Sequence, residues 1–202
     1  MRKNGRIPTV RTRALRAVLF MLPLVLLAGC AFAEPAALSL GGPESKKAPF
    51  AHDSIMVRLR DANGTERGTV HITQQNMGVR FQVEVNGLEP GGVYGFHVHE
   101  KAVCRGPDFA SAGAHFNPYR AVHGFLDVHG PHAGDLPNLA ADENGRAVAD
   151  FLTNRLSLRP KNRNSLLRGR GTSLVVHARA DDYFSKPAGD AGDRILCGEV
   201  TR

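Results

Sequence analysis

Six of the nine histidines in this 202-residue chain fall between positions 97 and 132, and a seventh stands at 177. His97, His99, His115, His123, His129 and His132 are closed off by Asp135 in a His-Ala-Gly-Asp tetrapeptide. Isolated histidines are ordinary core or surface residues. Six within 36 positions, followed by a carboxylate, are better explained by metal, and any fold must then bring these positions together. Imidazole suits zinc and copper, and one carboxylate in a ligand set suits zinc. Successive side chains of a strand point to opposite faces, so His97 and His99 share one face and form a two-ligand platform.

The segment around them has all-β character. Ile55, Val57 and Leu59 alternate with polar residues, and Asn63-Gly64 marks a hairpin. Val79, Phe81, Val83 and Val85 alternate again before Pro90-Gly91-Gly92. Further strands are expected at 67–73, 93–99, 146–152, 173–178 and 195–201. Short alternating runs with turn signals predict a sandwich or barrel. Two long Gly/Pro-rich stretches, 100–145 and 179–194, are expected to be functional loops.

The first 29 residues have another character. Arg2, Lys3, Arg6, Arg11, Arg13 and Arg16 form a basic region, and Val18 to Ala28 is an apolar run broken by Pro23. That run is too short to span a bilayer, and the pattern is that of a signal peptide over 1–29. Leu27-Ala28-Gly29-Cys30 predicts a lipidated Cys30, followed by a flexible tether over 30–51 and a domain over 52–202. The protein is then exported and membrane-anchored through its lipid. Ala31-Phe32-Ala33 is a rival cleavage signal, which would release a soluble exported protein starting at Glu34. Without residues 1–29 the chain has 20 basic and 19 acidic residues, a net of +1. The whole-chain charge of +7 is therefore no argument for nucleic acid. A basic run remains at Arg155, Arg159, Lys161, Arg163, Arg168 and Arg170, expected to be a solvated loop; contact with anionic lipid or cell-wall polymer is the sharper alternative. With Cys30 lipidated, Cys104 and Cys197 remain, and an exported pair most simply forms one disulfide.

Several motifs together resemble the copper/zinc superoxide dismutases. They are Gly95-Phe96-His97-Val98-His99-Glu100, Ser111-Ala112-Gly113-Ala114-His115-Phe116-Asn117-Pro118, His132-Ala133-Gly134-Asp135, Leu174-Val175-Val176-His177 with Ala180-Asp181-Asp182, and Gly189-Asp190-Ala191-Gly192-Asp193-Arg194 before Cys197-Gly198. The resemblance spans about 53–202, and the five-residue step from His99 to Cys104 is similar to the exported bacterial branch. It implies an eight-stranded Greek-key barrel that dismutates superoxide with copper and zinc. His97, His99 and His177 would bind copper, and His115 would bridge both metals. His123, His132 and Asp135 would complete the zinc site. Asp181 would link a copper histidine to a zinc histidine. Arg194 would guide the anion, and Cys104–Cys197 would be the family disulfide. His123 lies nine residues before His132, the family spacing, so it is preferred over His129 as ligand; His52 and His71 are ordinary histidines. Tyr94 stands where many members have histidine. Ala102 and Leu196 stand where members prefer Gly or Pro and a small residue. No interface pattern selects between a monomer and a homodimer.

Overall fold

The computed structural model describes residues 54–202. The expected signal peptide, Cys30, the tether and His52 lie outside the described residues. Nine strands follow in order: β1 Ser54–Arg60, β2 Glu66–Gln75, β3 Gly78–Val85, β4 Val93–Tyr94, β5 Phe96–His99, β6 Leu139–Ala140, β7 Ala147–Thr153, β8 Thr172–His177 and β9 Arg194–Val200. Their pairings are all antiparallel.

Seven strands form one sheet in the order β5-β8-β9-β1-β2-β3-β7, while β4 pairs with β6. Two features close this sheet on itself. Gly95 carries the chain from β4 directly into β5, and a bridge between Ala141 and Ala147 joins the end of β6 to β7. Counting β4 and β5 as one strand interrupted at Gly95 gives eight staves. The connection from β3 to β4 passes over β7 and β6, which makes the order a Greek key. The 93–99 segment expected as one strand is therefore split, because Gly95 sits against Ala191 and Arg179 of the 178–193 loop.

Alternation decides what lies inside. Val57 and Leu59 of β1, Val70 and Ile72 of β2, and Val79, Phe81, Val83 and Val85 of β3 are buried, with exposed residues between them on β3. Each such side chain contributes roughly 1.5–3 kcal/mol by leaving water. His71 faces solvent on β2. By contrast, β5 and β8 are buried at every position. Phe96, Val98, Leu174 and Val176 face the barrel core. The other face carries His97, His99, Val175 and His177, roofed by the 100–138 and 178–193 loops. A second apolar cluster of Phe109, Ala112, Val175 and Cys197, with Cys104 against it, seats the first loop on this face.

The basic stretch is not simply a solvated loop. Leu156, Leu158 and Leu166 are buried in the barrel core, and Ser157 bridges to Ser165. Arg155 and Arg159 are partly buried as well, while Lys161, Arg163, Arg168 and Arg170 are exposed. Polarity counted along the sequence hid three leucines set among the charges.

Candidate metal centre

Two groups of side chains meet on the roofed face of β5 and β8. One is His97, His99, His115 and His177; the other is His115, His123, His132 and Asp135. Within each group the nearest ligand atoms lie within 4.8 Å of one another. His115 belongs to both, and it is held beside β5 by a bridge to His99. Asp135 is held in the same way by a bridge to His97.

The ring nitrogens that bond to the protein identify those left for a ligand. His99 Nδ1 donates to the Gly113 carbonyl at 2.9 Å, and His177 Nδ1 donates to the Gly192 carbonyl at 3.0 Å. Their Nε2 atoms therefore face inward, 3.4 Å apart. His97 Nε2 bonds to Asp181 Oδ2 at 2.9 Å, which leaves Nδ1. His97 Nδ1 and His115 Nε2 are buried without a hydrogen-bond partner. Unpaired buried nitrogens cost on the order of 1–3 kcal/mol each, so a cation among them removes a real penalty. Four imidazole nitrogens suit copper.

On the second side, three Nδ1 atoms converge on one carboxylate. His115 lies 2.9 Å and His132 3.2 Å from Asp135 Oδ1, and His123 lies 3.2 Å from Asp135 Oδ2. Donors about 2.0 Å from a tetrahedral zinc stand about 3.3 Å apart, so this spacing fits zinc. His123 Nδ1 is close to the carboxylate yet not aligned for a hydrogen bond, as a ligand atom would be. The Asp135 carboxylate also accepts from the Gly124 and His132 backbone N–H groups at 3.0 and 2.9 Å.

Asp181 spans the two groups. Its Oδ2 takes His97 Nε2 and its Oδ1 takes His123 Nε2 at 3.1 Å, which fixes one ring from each side. Asn138 holds Asp181 in turn, donating to its carbonyl at 2.8 Å and accepting from its N–H at 3.0 Å. Gly189 lies over this bridge at φ +68°, and a Cβ there would meet Asp181 and His123.

Electrostatics follows burial. Desolvation holds His99 down to about 2 and His177 to about 3; the other histidines add to both effects. Burial also pulls His115 down to about 4, against its hydrogen bond to Asp135. These rings are neutral and ready to ligate. Burial acts downward on His123 too, but Asp135 and Asp181 on either side raise it to about 9. Burial alone would raise Asp135, yet hydrogen bonds with His115 and His132 and the close approach of the His123 ring hold it far below the usual carboxylate range.

A cleft of about 760 Å³ opens over this centre, lined by His99, His115, His132, His177 and Arg194 among others. The Arg194 guanidinium is fixed by bonds to the Phe109 carbonyl at 2.7 Å and the Gly113 carbonyl at 2.8 Å. Gly113 thus serves both Arg194 and His99. A disulfide joins Cys104 to Cys197 with Cα atoms 5.6 Å apart, tying this loop to β9.

The residue pattern, the eight-stranded Greek key and the paired donor sets agree with what comparison shows. The copper/zinc superoxide dismutase family model matches residues 66–200. The chain belongs to that family. It is similar to superoxide dismutase [Cu-Zn] 1 of Aquifex aeolicus, with 44% identity over 137 residues covering 68% of this chain and 81% of that protein. It is 38% identical to the Caulobacter vibrioides enzyme over 167 residues, covering 82% and 95%. Among solved structures, copper/zinc superoxide dismutase from Brucella abortus superposes with a TM-score of 0.61 at 31% identity, covering 73% of this chain and 99% of that one. A superoxide-dismutase-like protein from Bacillus subtilis gives 0.69 at 37% identity, covering 71% and 96%.

Within this dismutase-family centre the structure brings together His97, His99, His115, His123, His132, Asp135, His177 and Asp181. His129 stays out: it is exposed and lies 3.5 Å from Asp127. Tyr94 is buried, but its hydroxyl accepts from Glu89 N–H at 2.9 Å and donates to the Glu89 carbonyl, so it serves the β3–β4 turn. Leu196 packs into the core. Sequence inspection missed Asn138, Arg155 and Lys186. Lys186 donates to the His123 carbonyl at 3.0 Å and pairs with Asp127 at 2.8 Å. The one signal for Asn138 is its place three residues after Asp135, and nothing in the basic run set Arg155 apart.

Proposed function

We propose that this protein is a copper/zinc superoxide dismutase acting outside the cytoplasm, converting two superoxide anions and two protons to dioxygen and hydrogen peroxide. The observation that carries the reading is His115, which presents Nε2 to the three-histidine group and Nδ1 to the Asp135 group, with Arg194 on the same cleft. Copper would be held by His97 Nδ1, His99 Nε2, His177 Nε2 and His115 Nε2. Zinc would be held by the Nδ1 atoms of His115, His123 and His132 with Asp135. When bound, copper supplies one-electron chemistry in both directions, whereas zinc has no redox chemistry and contributes charge and order.

The chain's own groups do the rest. Arg194 stays charged and is anchored by two carbonyls, so it offers a fixed positive charge to an approaching anion. His115 lines the cleft and its Nε2, when not ligating, can carry a proton and pass it to the doubly reduced dioxygen. Its Nδ1 is tied to Asp135, so the ring would keep its position whatever Nε2 holds. The roofing loops limit access to the cleft and keep bulk water from His97, His99, His115, His123 and His177, which are nine-tenths or more buried.

Export and a lipid anchor at Cys30 belong to the same proposal. They are supported by the N-terminal residue order and by a disulfide of the kind that persists in oxidising compartments. Superoxide is an anion and crosses bilayers poorly, so an anchored enzyme would protect the cell surface. The test is superoxide consumption and peroxide yield by protein loaded with both metals, alongside metal analysis. Absence of turnover with stoichiometric copper bound would overturn the enzymatic reading. Mass spectrometry of the mature N-terminus separates a diacylated Cys30 from a free Glu34.

A further inference from the structure

Behind the zinc-side residues stands a guanidinium that neither ligand group uses. Arg155 lies just after β7, and its main chain is pinned by its N–H to Thr153 Oγ1 at 3.3 Å and by Asn164 Nδ2 to its carbonyl at 3.0 Å. Its side chain reaches back over the 123–135 turn. Nη2 donates to the main-chain carbonyl of Asp135 at 2.9 Å, and Cζ lies 4.9 Å from the centre of the Phe125 ring. Nε is buried and has no hydrogen-bond partner.

Filling this space would not need a charge. Leucine or methionine would pack there without the cost of partly withdrawing a guanidinium from water. The cost is offset by what Arg155 meets: a carbonyl, an aromatic face and the nearby Asp135 carboxylate. Asp135 is the residue on which His115, His123 and His132 converge. Its carboxylate is aimed by two backbone N–H groups and its main chain is bridged to His97. Its carbonyl is taken by Arg155. Phe125, two residues after His123, is gripped by the same side chain and packs edge-on against Tyr183 at 5.1 Å. One cation therefore touches the chain at both ends of the zinc-side turn.

We propose that Arg155 is a positioning residue for zinc, holding the Asp135 backbone and the 123–135 turn so that the four donors are arranged before the metal arrives. The inference rests on the zinc assignment above and adds a residue from the basic run to it. Outer partners of ligands typically set about 10- to 100-fold in metal affinity.

The test uses the full mature chain, freed of metal and titrated with zinc against a chelating dye, then with cobalt(II) as a spectroscopic stand-in. Arg155→Met keeps length and apolar contact with Phe125 but removes the donor, whereas Arg155→Lys keeps a charged donor. The expected result is zinc bound about 10-fold or more weakly by Arg155→Met, with weakened tetrahedral cobalt bands, and most of the loss recovered by Arg155→Lys. The unfolding temperature of the metal-free Met variant should stay near wild type. Wild-type zinc affinity in Arg155→Met overturns the proposal. So does a loss matched by lowered metal-free stability with an unchanged cobalt spectrum. If Arg155→Met does not fold, Phe125→Leu carries the test: weaker zinc supports the clamp and unchanged zinc overturns it. A wild-type protein that takes no zinc at this set removes the zinc assignment together with the clamp. Zinc held normally by wild type and Arg155→Met alike removes the clamp alone.

Discussion

Gly189→Ala separates two costs that usually arrive together. Gly189 has φ +68°, and a Cβ there would sit 2.7 Å from His123 Nε2 and 2.5 Å from Asp181 Cγ. Gly64 has φ +81°, with nothing within 4 Å of the same atom. Both substitutions place an L-residue in the left-handed region, at roughly 1–2 kcal/mol. Only the first also forces crowding, typically about 1–3 kcal/mol in a packed interior. The sum at Gly189 is about 2–5 kcal/mol. At about 2–4 °C per kcal/mol for a domain of this size, that is a fall of roughly 4–20 °C in Tm, against about 2–8 °C at Gly64. The crowding also falls on Asp181, whose displacement loosens His97 and His123 together. Zinc affinity should drop about 10- to 100-fold in Gly189→Ala and stay unchanged in Gly64→Ala. Thermal unfolding by circular dichroism and zinc competition against a chelating dye measure both. Equal losses in the two variants, or wild-type zinc affinity in Gly189→Ala, would refute the view that Gly189 makes room for the Asp181 bridge.

The same geometry sets three further outcomes. His123→Ala should abolish high-affinity zinc binding, whereas His129→Ala should retain a full complement; elemental analysis showing zinc loss in the His129 variant alone reverses the ligand choice. Arg194→Glu should slow superoxide consumption about tenfold or more, and weaken its dependence on ionic strength, with metal content unchanged; a full-rate variant removes Arg194 from the cleft's chemistry. The metal-free protein should be most stable near pH 6.5, the ordinary histidine value. His99, His115 and His177, with folded values of about 2, 4 and 3, take up protons only on unfolding as pH falls below 6.5, so stability drops on the acid side. His123, raised to about 9, contributes stability below 6.5 that is lost as pH rises through about 9. A flat profile of Tm against pH for the metal-free chain contradicts this balance.

Much of the centre was legible because its chemistry is carried by side chains with few other uses. His97 and His99 on one strand, His115, His132-Ala-Gly-Asp135 and His177 announce ligands whatever the fold, and alternation in β1 and β3 announces a barrel wall. The choice of His123 over His129 rested on a nine-residue spacing, and the structure gives it a physical cause: His123 is buried between Asp135 and Asp181 while His129 is exposed. What stayed hidden depends on the path of the backbone. The carbonyls of Gly113 and Gly192 fix two imidazoles, and no sequence pattern names a carbonyl. β6 is two residues long and too short to alternate. Arg155 stood in a run of like charges, where only the three-dimensional path shows that it turns inward. Leu156, Leu158 and Leu166 were outweighed by the arginines around them.

The disulfide joins residues 93 apart in sequence, and that span holds His115, His123, His132, Asp135, His177, Asp181 and Arg194. Only His97 and His99 lie outside it, a few residues before Cys104. The covalent ring thus encircles five of the seven residues proposed as ligands, and it shortens the unfolded chain's search for them by about 4–5 kcal/mol of loop-closure entropy. One end of the ring sits on the strand that begins with Arg194, and the other on the loop whose Gly113 carbonyl orients both Arg194 and His99. A reducing compartment would therefore act on this protein as a slackened drawstring. Reduction would take that contribution from the whole fold and untie from β9 the loop that holds Arg194 and His99.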